Sequence, residues 1–261
     1  MYTWQFGLIT WLIVWHLMGN IYSIYVHRQI GHGYFVIHPA LEHVFRFWIW
    51  FTMSFSWPNW QQHWAAKHRK HHKYSDTKHD PHSPYYYTFR QMCDVSHNDP
   101  NRANYINPEE VKLYAPDIVS VDDWIEKNLY SKYPRLGQQL MWLLFTVFFG
   151  WFGFFIGAVA YWGVKVVSIW GGNYANHKWG FKYATKGTSK ATIFLPWSIF
   201  FGGEEIHAHH HNDASKPYFH RHWWEIDTGW LWCRLFMLLG LMQLRNPTLT
   251  QDTTSVVKTN S

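Results

Sequence analysis

The chain has 261 residues and no Pro/Gly/Ser-rich linker to divide it, so one large domain is expected over 1–261. Aromatic residues make up 21% and charged residues 15%, a balance that suits a membrane interface rather than an average soluble domain, whose charged share is about 25%. Two cysteines, Cys93 and Cys233, argue against a disulfide framework or a thiolate metal site. The net charge of +6 lacks the basic and aromatic interleaving of a nucleic-acid surface, so anionic lipid or an acidic electron-transfer partner fits it better.

Residues 3–26 contain no charged side chain and are long enough for a helix crossing a hydrocarbon layer, which needs about 20 residues. No basic segment precedes them, so a cleaved signal peptide is not expected. HRQIGH follows, with His27 and His32 five apart, a spacing one metal can use only if the helix loosens near Gly31. Residues 41–57 are apolar but open with Glu42, His43 and Arg46. HRKHH places His68, His71 and His72 at i, i+3 and i+4, within an arc of about 100° on a helix. Between 94 and 139 the chain is polar, with Pro108 placed to start a helix and Pro116 to break it. Residues 140–172 are apolar apart from Lys165, too long for one crossing and enough for two short ones, with Gly150, Gly153 and Gly157 available for turning or close packing. NYANH then sets Asn173 and His177 four apart, and HAHHH repeats the i, i+3, i+4 pattern at His207, His210 and His211. Residues 223–242 read as an interfacial helix rather than a span.

A shared metal centre requires all four histidine segments to lie on one side of the membrane. Residues 41–57 then do not cross and 140–172 form a hairpin, giving three spans. Basic residues crowd 67–78, 178–190 and 216–222, which makes the histidine side cytoplasmic and turns the N-terminus outward. The expected fold is therefore all-α: an integral membrane, multi-pass protein with a short transmembrane bundle and a cytoplasmic helical cap carrying a histidine-rich dimetal site. Its parts are a spanning helix (1–26), a cytoplasmic and interfacial part (27–139), a membrane hairpin (140–172) and a second cytoplasmic part (173–261). Nine imidazoles suit two ions of four or five ligands each, and an all-nitrogen set with ligands to spare favours a redox metal, iron first, over closed structural zinc. Ten other histidines remain; His209 points off the face its neighbours share, and His79 and His82 are read as groups that orient the ligands.

HRQIGH, HRKHHKYSDTKHDPH, NYANHKWG, GEEIHAHHHND and WWEIDTGWLWCRLFMLLGL together resemble the membrane-bound fatty acyl desaturases, specifically the stearoyl-CoA (delta-9) type, from about Val26 to about Met242. The resemblance implies that His27, His32, His68, His71, His72, His177, His207, His210 and His211 hold two irons, that Asn173 reaches one through a water, and that Trp64 and Trp170 touch the acyl substrate. It implies an oxygen-dependent enzyme that puts a cis double bond into a saturated chain linked to CoA, acyl carrier protein or lipid. Dioxygen would be the co-substrate, and electrons would come from ferredoxin, rubredoxin or cytochrome b5. No catalytic side chain beyond the metal centre is expected. Two departures stand out: one spanning segment precedes the first histidine box where the family usually has two, and Ala66 and Lys67 stand where animal relatives carry Arg-Asp. The nearest alternative is a diiron hydroxylase of lipids, alkanes or carotenoids. A metal transporter fits less well, since apart from His16 and Lys165 the spans lack ligating or charged groups.

Overall fold

The computed structural model describes residues 4–93, 103–183 and 185–245, with side chains left out for 163–172. The uncharged N-terminal run forms α1 (Trp4–Ile21), which continues without a break into a π-helix over Tyr22–Gly31. Trp4, Phe6, Ile9 and Ile13 are exposed at its outer end, while Met18 to Ile21 are buried, so the helix passes from an exposed apolar surface into the protein core. β1 (Phe35–Ile37) leads to α2 (Pro39–Met53), which starts where Pro39 occupies a position needing no N–H and the His38 ring accepts from the Ala40 N–H. Leu41, Phe45, Ile49 and Trp50 give α2 its buried face. Arg46 is buried on the same helix and is neutralised by Asp123 and Glu126, the latter at 3.1 Å.

α3 (Trp60–Tyr74) carries the second histidine group. After it come α4 (Phe89–Met92) and α5 (Pro108–Tyr114). As the sequence predicts, α5 starts at Pro108; Asn107 and Glu110 form a capping box and the helix stops before Pro116. A second π-helical turn spans Glu126–Tyr130.

α6 (Leu136–Ile169) is two limbs joined at Gly150, whose φ of 60° and ψ of −140° are open to glycine and not to residues with a Cβ. The limbs run antiparallel: the Trp142 indole N–H donates to the Phe154 carbonyl at 2.9 Å, and Gly157 leaves no room for a side chain against the Trp142 ring. Trp4–Gly31 and Leu136–Trp162 are long and apolar enough to cross a membrane by length and composition. Because of the turn, limb 136–149 is only about 21 Å long at 1.5 Å per residue, short of a hydrocarbon layer of about 30 Å.

A third π-helix, Trp170–Ala175, runs into α7 (Asn176–Lys178). β2 (Phe181–Lys182) pairs antiparallel with β3 (Thr192–Ile193), and β4 (Trp197–Ser198) pairs parallel with β5 (Ile226–Asp227). Between them lie a 3-10 turn at Glu204–Ile206 and α8 (His207–Asn212). α9 (Thr228–Leu238) is capped by Asp227, and β6 (Met242–Leu244) pairs antiparallel with β1. At 11 residues α9 is too short to cross. The all-helical expectation holds for the bulk of the chain and misses these three pairings, whose strands of two or three residues are too short to show an alternating pattern.

Candidate metal centre

Each histidine segment sits where regular α-helix begins or ends. His27 lies in the π-helix Tyr22–Gly31 and His32 caps it. The i→i+5 bonding of a π-helix sets residues five apart nearly above one another, which an α-helix does not, and the two rings lie 5.3 Å apart. This widened turn is the loosening that the HRQIGH spacing demands. Gly31 lets α3 come close: a Cβ there would stand 2.9 Å from His68 Cδ2 and 2.9 Å from Trp64 Cζ3. His68, His71 and His72 project from α3, His177 from α7, and His207, His210 and His211 from α8.

All nine of these histidines come together, in two groups. His27, His32, His68, His72 and His210 form a cage of five, and His71, His177, His207 and His211 a cage of four, each with its ring nitrogens within 4.8 Å of one another. Shared helix face does not decide membership: His68 and His72 enter the first cage and His71 the second, whereas His207 and His211 enter the second and His210 the first. α3 and α8 therefore each supply both cages, which abut where the His72 and His211 rings stack 4.4 Å apart.

Carboxylates stand behind the rings. His27 Nδ1 lies 2.7 and 2.8 Å from the two Glu204 oxygens, His71 Nδ1 lies 2.8 Å from Asp80, and His177 Nδ1 lies 2.8 Å from Asp76. Such acceptors hold the proton on Nδ1 and leave Nε2 as a bare lone pair aimed inward. Glu204 also lies 3.6 Å from His207 Nδ1, beyond hydrogen-bond reach, so its charge stands beside a ring of the second cage as well. Burial opposes its ionisation, but His27 and His207 hold its carboxyl well below the usual range. Burial pushes His32, His68, His71, His72, His210 and His211 well below the usual imidazole range and His207 to about 4, so these rings are neutral and ready to ligate near neutrality.

The nitrogens do not satisfy one another. His210 Nε2 lies 2.9 Å from His27 Nε2 and 3.1 Å from His72 Nε2; His68 Nε2 lies 2.8 Å from His32 Nε2 and 3.1 Å from His72 Nε2. A ring nitrogen offers one N–H or one lone pair, never both, so a chain of such contacts cannot be closed by hydrogen bonds alone. His177 Nε2 is buried with no hydrogen-bond partner among the described residues. Convergent neutral nitrogen donors of this kind fit a cation of the imidazole-binding class in each cage.

Asn173 lies half-buried in the π-helix four residues before His177. Trp64 is buried and stacks on His68 at 4.8 Å. The Trp170 side chain falls outside the described residues. His82 is buried with its ring 4.3 Å from that of His71, but its ring nitrogens make no hydrogen bond among the described residues and Asp80 is what holds His71; His79 is exposed beside Tyr74. His209 turns away to Glu225, 2.8 Å from Nε2. Sequence reasoning missed Glu204, Asp76 and Asp80; Glu204, three residues before His207, carried the one local signal, an i, i+3 acid and histidine pair.

A profile of the fatty acid desaturase family matches residues 2–241. The chain is 26% identical over 249 residues to Delta-9 acyl-lipid desaturase 2 of Arabidopsis thaliana, covering 92% of this chain and 74% of that protein. It is 27% identical over 261 residues to the sn-2 palmitoyl-lipid 9-desaturase of Nostoc sp. (strain 36), covering 88% of this chain and 82% of the relative. It is also 28% identical over 228 residues to Delta-9 desaturase-like 4 protein of Arabidopsis thaliana, at 82% and 68% coverage. With the profile spanning nearly the whole chain, the protein belongs to the fatty acid desaturase family.

Proposed function

We propose that the protein is an oxygen-dependent desaturase that introduces a cis double bond into a saturated, lipid- or CoA-linked acyl chain, with one iron in each histidine cage. The observation that carries this reading is the pair of abutting imidazole cages, five and four strong, with carboxylates holding three of the rings from behind. Iron bound there would supply the reduction of dioxygen and the oxidising power to remove hydrogen from two neighbouring methylenes.

The chain's own residues do the positioning. Glu204, Asp76 and Asp80 fix which nitrogen of His27, His177 and His71 carries the proton. Burial of His27, His68, His71, His177, His207 and His210 keeps bulk water from the cages. An acyl chain offers no charge to grip, so its register must come from apolar contact, worth about 0.8 kcal/mol for each buried methylene; we assign part of that contact to Trp64, and its stacking on His68 supports the assignment. We place the α1 helix across the bilayer and the two limbs of α6 in it as a hairpin whose ends lie on one side, with the cages on the cytoplasmic side and Asn173 acting through a water.

Expression in a desaturase-deficient host followed by gas chromatography of its lipids tests the reading. A new double bond, lost in His71→Ala at equal protein level, supports it; a hydroxylated chain moves the protein to the lipid hydroxylases, and an unchanged profile overturns it.

A further inference from the structure

One histidine of α8 serves neither cage. His209, between Ala208 and His210, turns away from them and sets its Nε2 2.8 Å from Glu225 Oε1. His222 comes to the same place: one nitrogen of each ring and one Glu225 oxygen all lie within 4.8 Å of one another. Each of the three is held by a neighbour. Tyr183 packs edge-on against His209 at 4.7 Å, His222 stacks on Trp224 at 5.2 Å, and Glu225 Oε2 accepts from the Arg221 and His222 N–H groups at 2.6 and 2.9 Å. Burial opposes the ionisation of Glu225, but those N–H groups and His209 hold its carboxyl below the usual range. A hydrogen bond accounts for the His209 and Glu225 pair alone, and it leaves His209 Nδ1 buried with no hydrogen-bond partner among the described residues.

We propose that His209, His222 and Glu225 bind a zinc-class divalent cation outside both cages, with its fourth position open to water. Two imidazole nitrogens, a carboxylate oxygen and a water make a tetrahedral set that zinc accepts, and at such a site zinc binds more tightly than ferrous iron. The 2.8 Å between His209 Nε2 and Glu225 Oε1 equals the separation of His68 Nε2 and His32 Nε2 in the five-histidine cage. His222 is exposed and His209 lines an open cleft of about 590 Å³, so an ion reaches the site without passing through the cages. Basic residues of the cleft oppose a cation, but Arg221 is turned to Tyr183 Oη at 2.6 Å and Lys216 to Asp213 at 3.0 Å, while Glu225 supplies negative charge beside the ion. An ion there ties α8, which supplies both cages, to the segment leading into β5 and Asp227, the partner of Arg28. Because the three ligands meet only in the folded chain, the ion adds stability. The site stands apart from the desaturase reading and does not depend on it.

The test uses the full chain in lipid nanodiscs, loaded with iron and titrated with zinc chloride, with metals per chain counted by elemental analysis. His222→Ala and His222→Phe remove the exposed ligand, and the second keeps a ring on Trp224. The proposal expects one zinc per wild-type chain beyond the iron, unchanged iron content and a higher melting temperature with zinc. Both variants should bind that zinc about tenfold or more weakly and lose the zinc-dependent rise in melting temperature. Cobalt(II) in place of zinc should give the visible absorption of a four-coordinate ion in the wild type and not in the variants. A wild type that takes up no zinc beyond its iron overturns the proposal. So does zinc uptake matched by iron release, which puts the zinc in the cages, and so does uptake unchanged in both variants. The wild-type outcomes decide by themselves where melting without zinc shows a variant to be unfolded. Zinc uptake of the expected kind in a chain that makes no product strikes the desaturase reading alone.

Discussion

Glu204 holds His27 from behind with both oxygens, at 2.7 and 2.8 Å from Nδ1, while the same carboxylate reaches His207 of the other cage at 3.6 Å. One carboxylate therefore hydrogen-bonds a ring of the five-histidine cage and places its charge beside a ring of the other. Glu204→Gln keeps the shape and removes the charge, so metal affinity at the five-histidine cage should fall about 10–100-fold, the usual loss when a group behind a ligating histidine is removed, with a smaller loss at the other cage. Asp76→Asn, at a carboxylate that holds His177 of the four-histidine cage, should weaken that cage alone. Metal content per chain across a chelator series separates the two variants, and retention of both metals in Glu204→Gln would sink the assignment.

Arg28 sits beside His27 in a socket that uses every donor of its guanidinium. Nε donates to the Pro217 carbonyl, Nη1 to Ser23 Oγ and the Gly202 carbonyl, and Nη2 to both Asp227 oxygens at 2.8 and 2.9 Å. Gly203 and Gly229 leave the space for it, and its face covers Phe219 at 4.0 Å. Lysine has no planar fork to replace these bonds. Arg28→Ala leaves Asp227 buried without its countercharge and should cost about 3–5 kcal/mol. Arg28→Lys should recover only part of that. Denaturant unfolding in detergent measures both, and an Arg28→Ala loss below about 1 kcal/mol would contradict the buried-pair account.

Gly31→Val should damage the five-histidine cage selectively, because its side chain collides with His68 and Trp64, both packed against neighbours. Overpacking of this kind costs about 1–3 kcal/mol. The expected result is a lower melting temperature together with loss of about half the bound metal; intact loading of both cages would show that α3 can move away.

The metal-free protein should be acid-sensitive. Unfolded imidazoles titrate near about 6.5, while burial keeps His32, His68, His71, His72, His210 and His211 far below that and His207 at about 4. Between those values the unfolded chain takes up protons that the folded chain refuses, so stability is full above about pH 6.5 and falls as pH drops toward 4. Melting temperatures of stripped protein between about pH 7 and pH 5 check this, with a flat profile as the contrary result.

The i, i+3, i+4 spacing of histidines on α3 and α8 made the ligand set legible, and glycine within an overlong apolar run made the hairpin legible. The division of the set between two cages was not, because the angle between helices decides it and no local pattern encodes that angle. The π-helix at Tyr22–Gly31 announced itself only as an awkward five-residue spacing. Arg28 and Asp227 stand 199 residues apart, so only the folded chain pairs them. Glu204 and Glu205 look alike as a sequence, yet the first turns to the histidines and the second to the Phe200 and Phe201 N–H groups.

The interleaving of α3 and α8 bears on biosynthesis. The five-histidine cage lacks a wall until residue 210 has emerged from the ribosome, and the four-histidine cage until residue 211. A nascent chain halted before α8 has neither cage complete, so metal loading comes late in synthesis or after it and reports on the folding of the chain from His27 through His211.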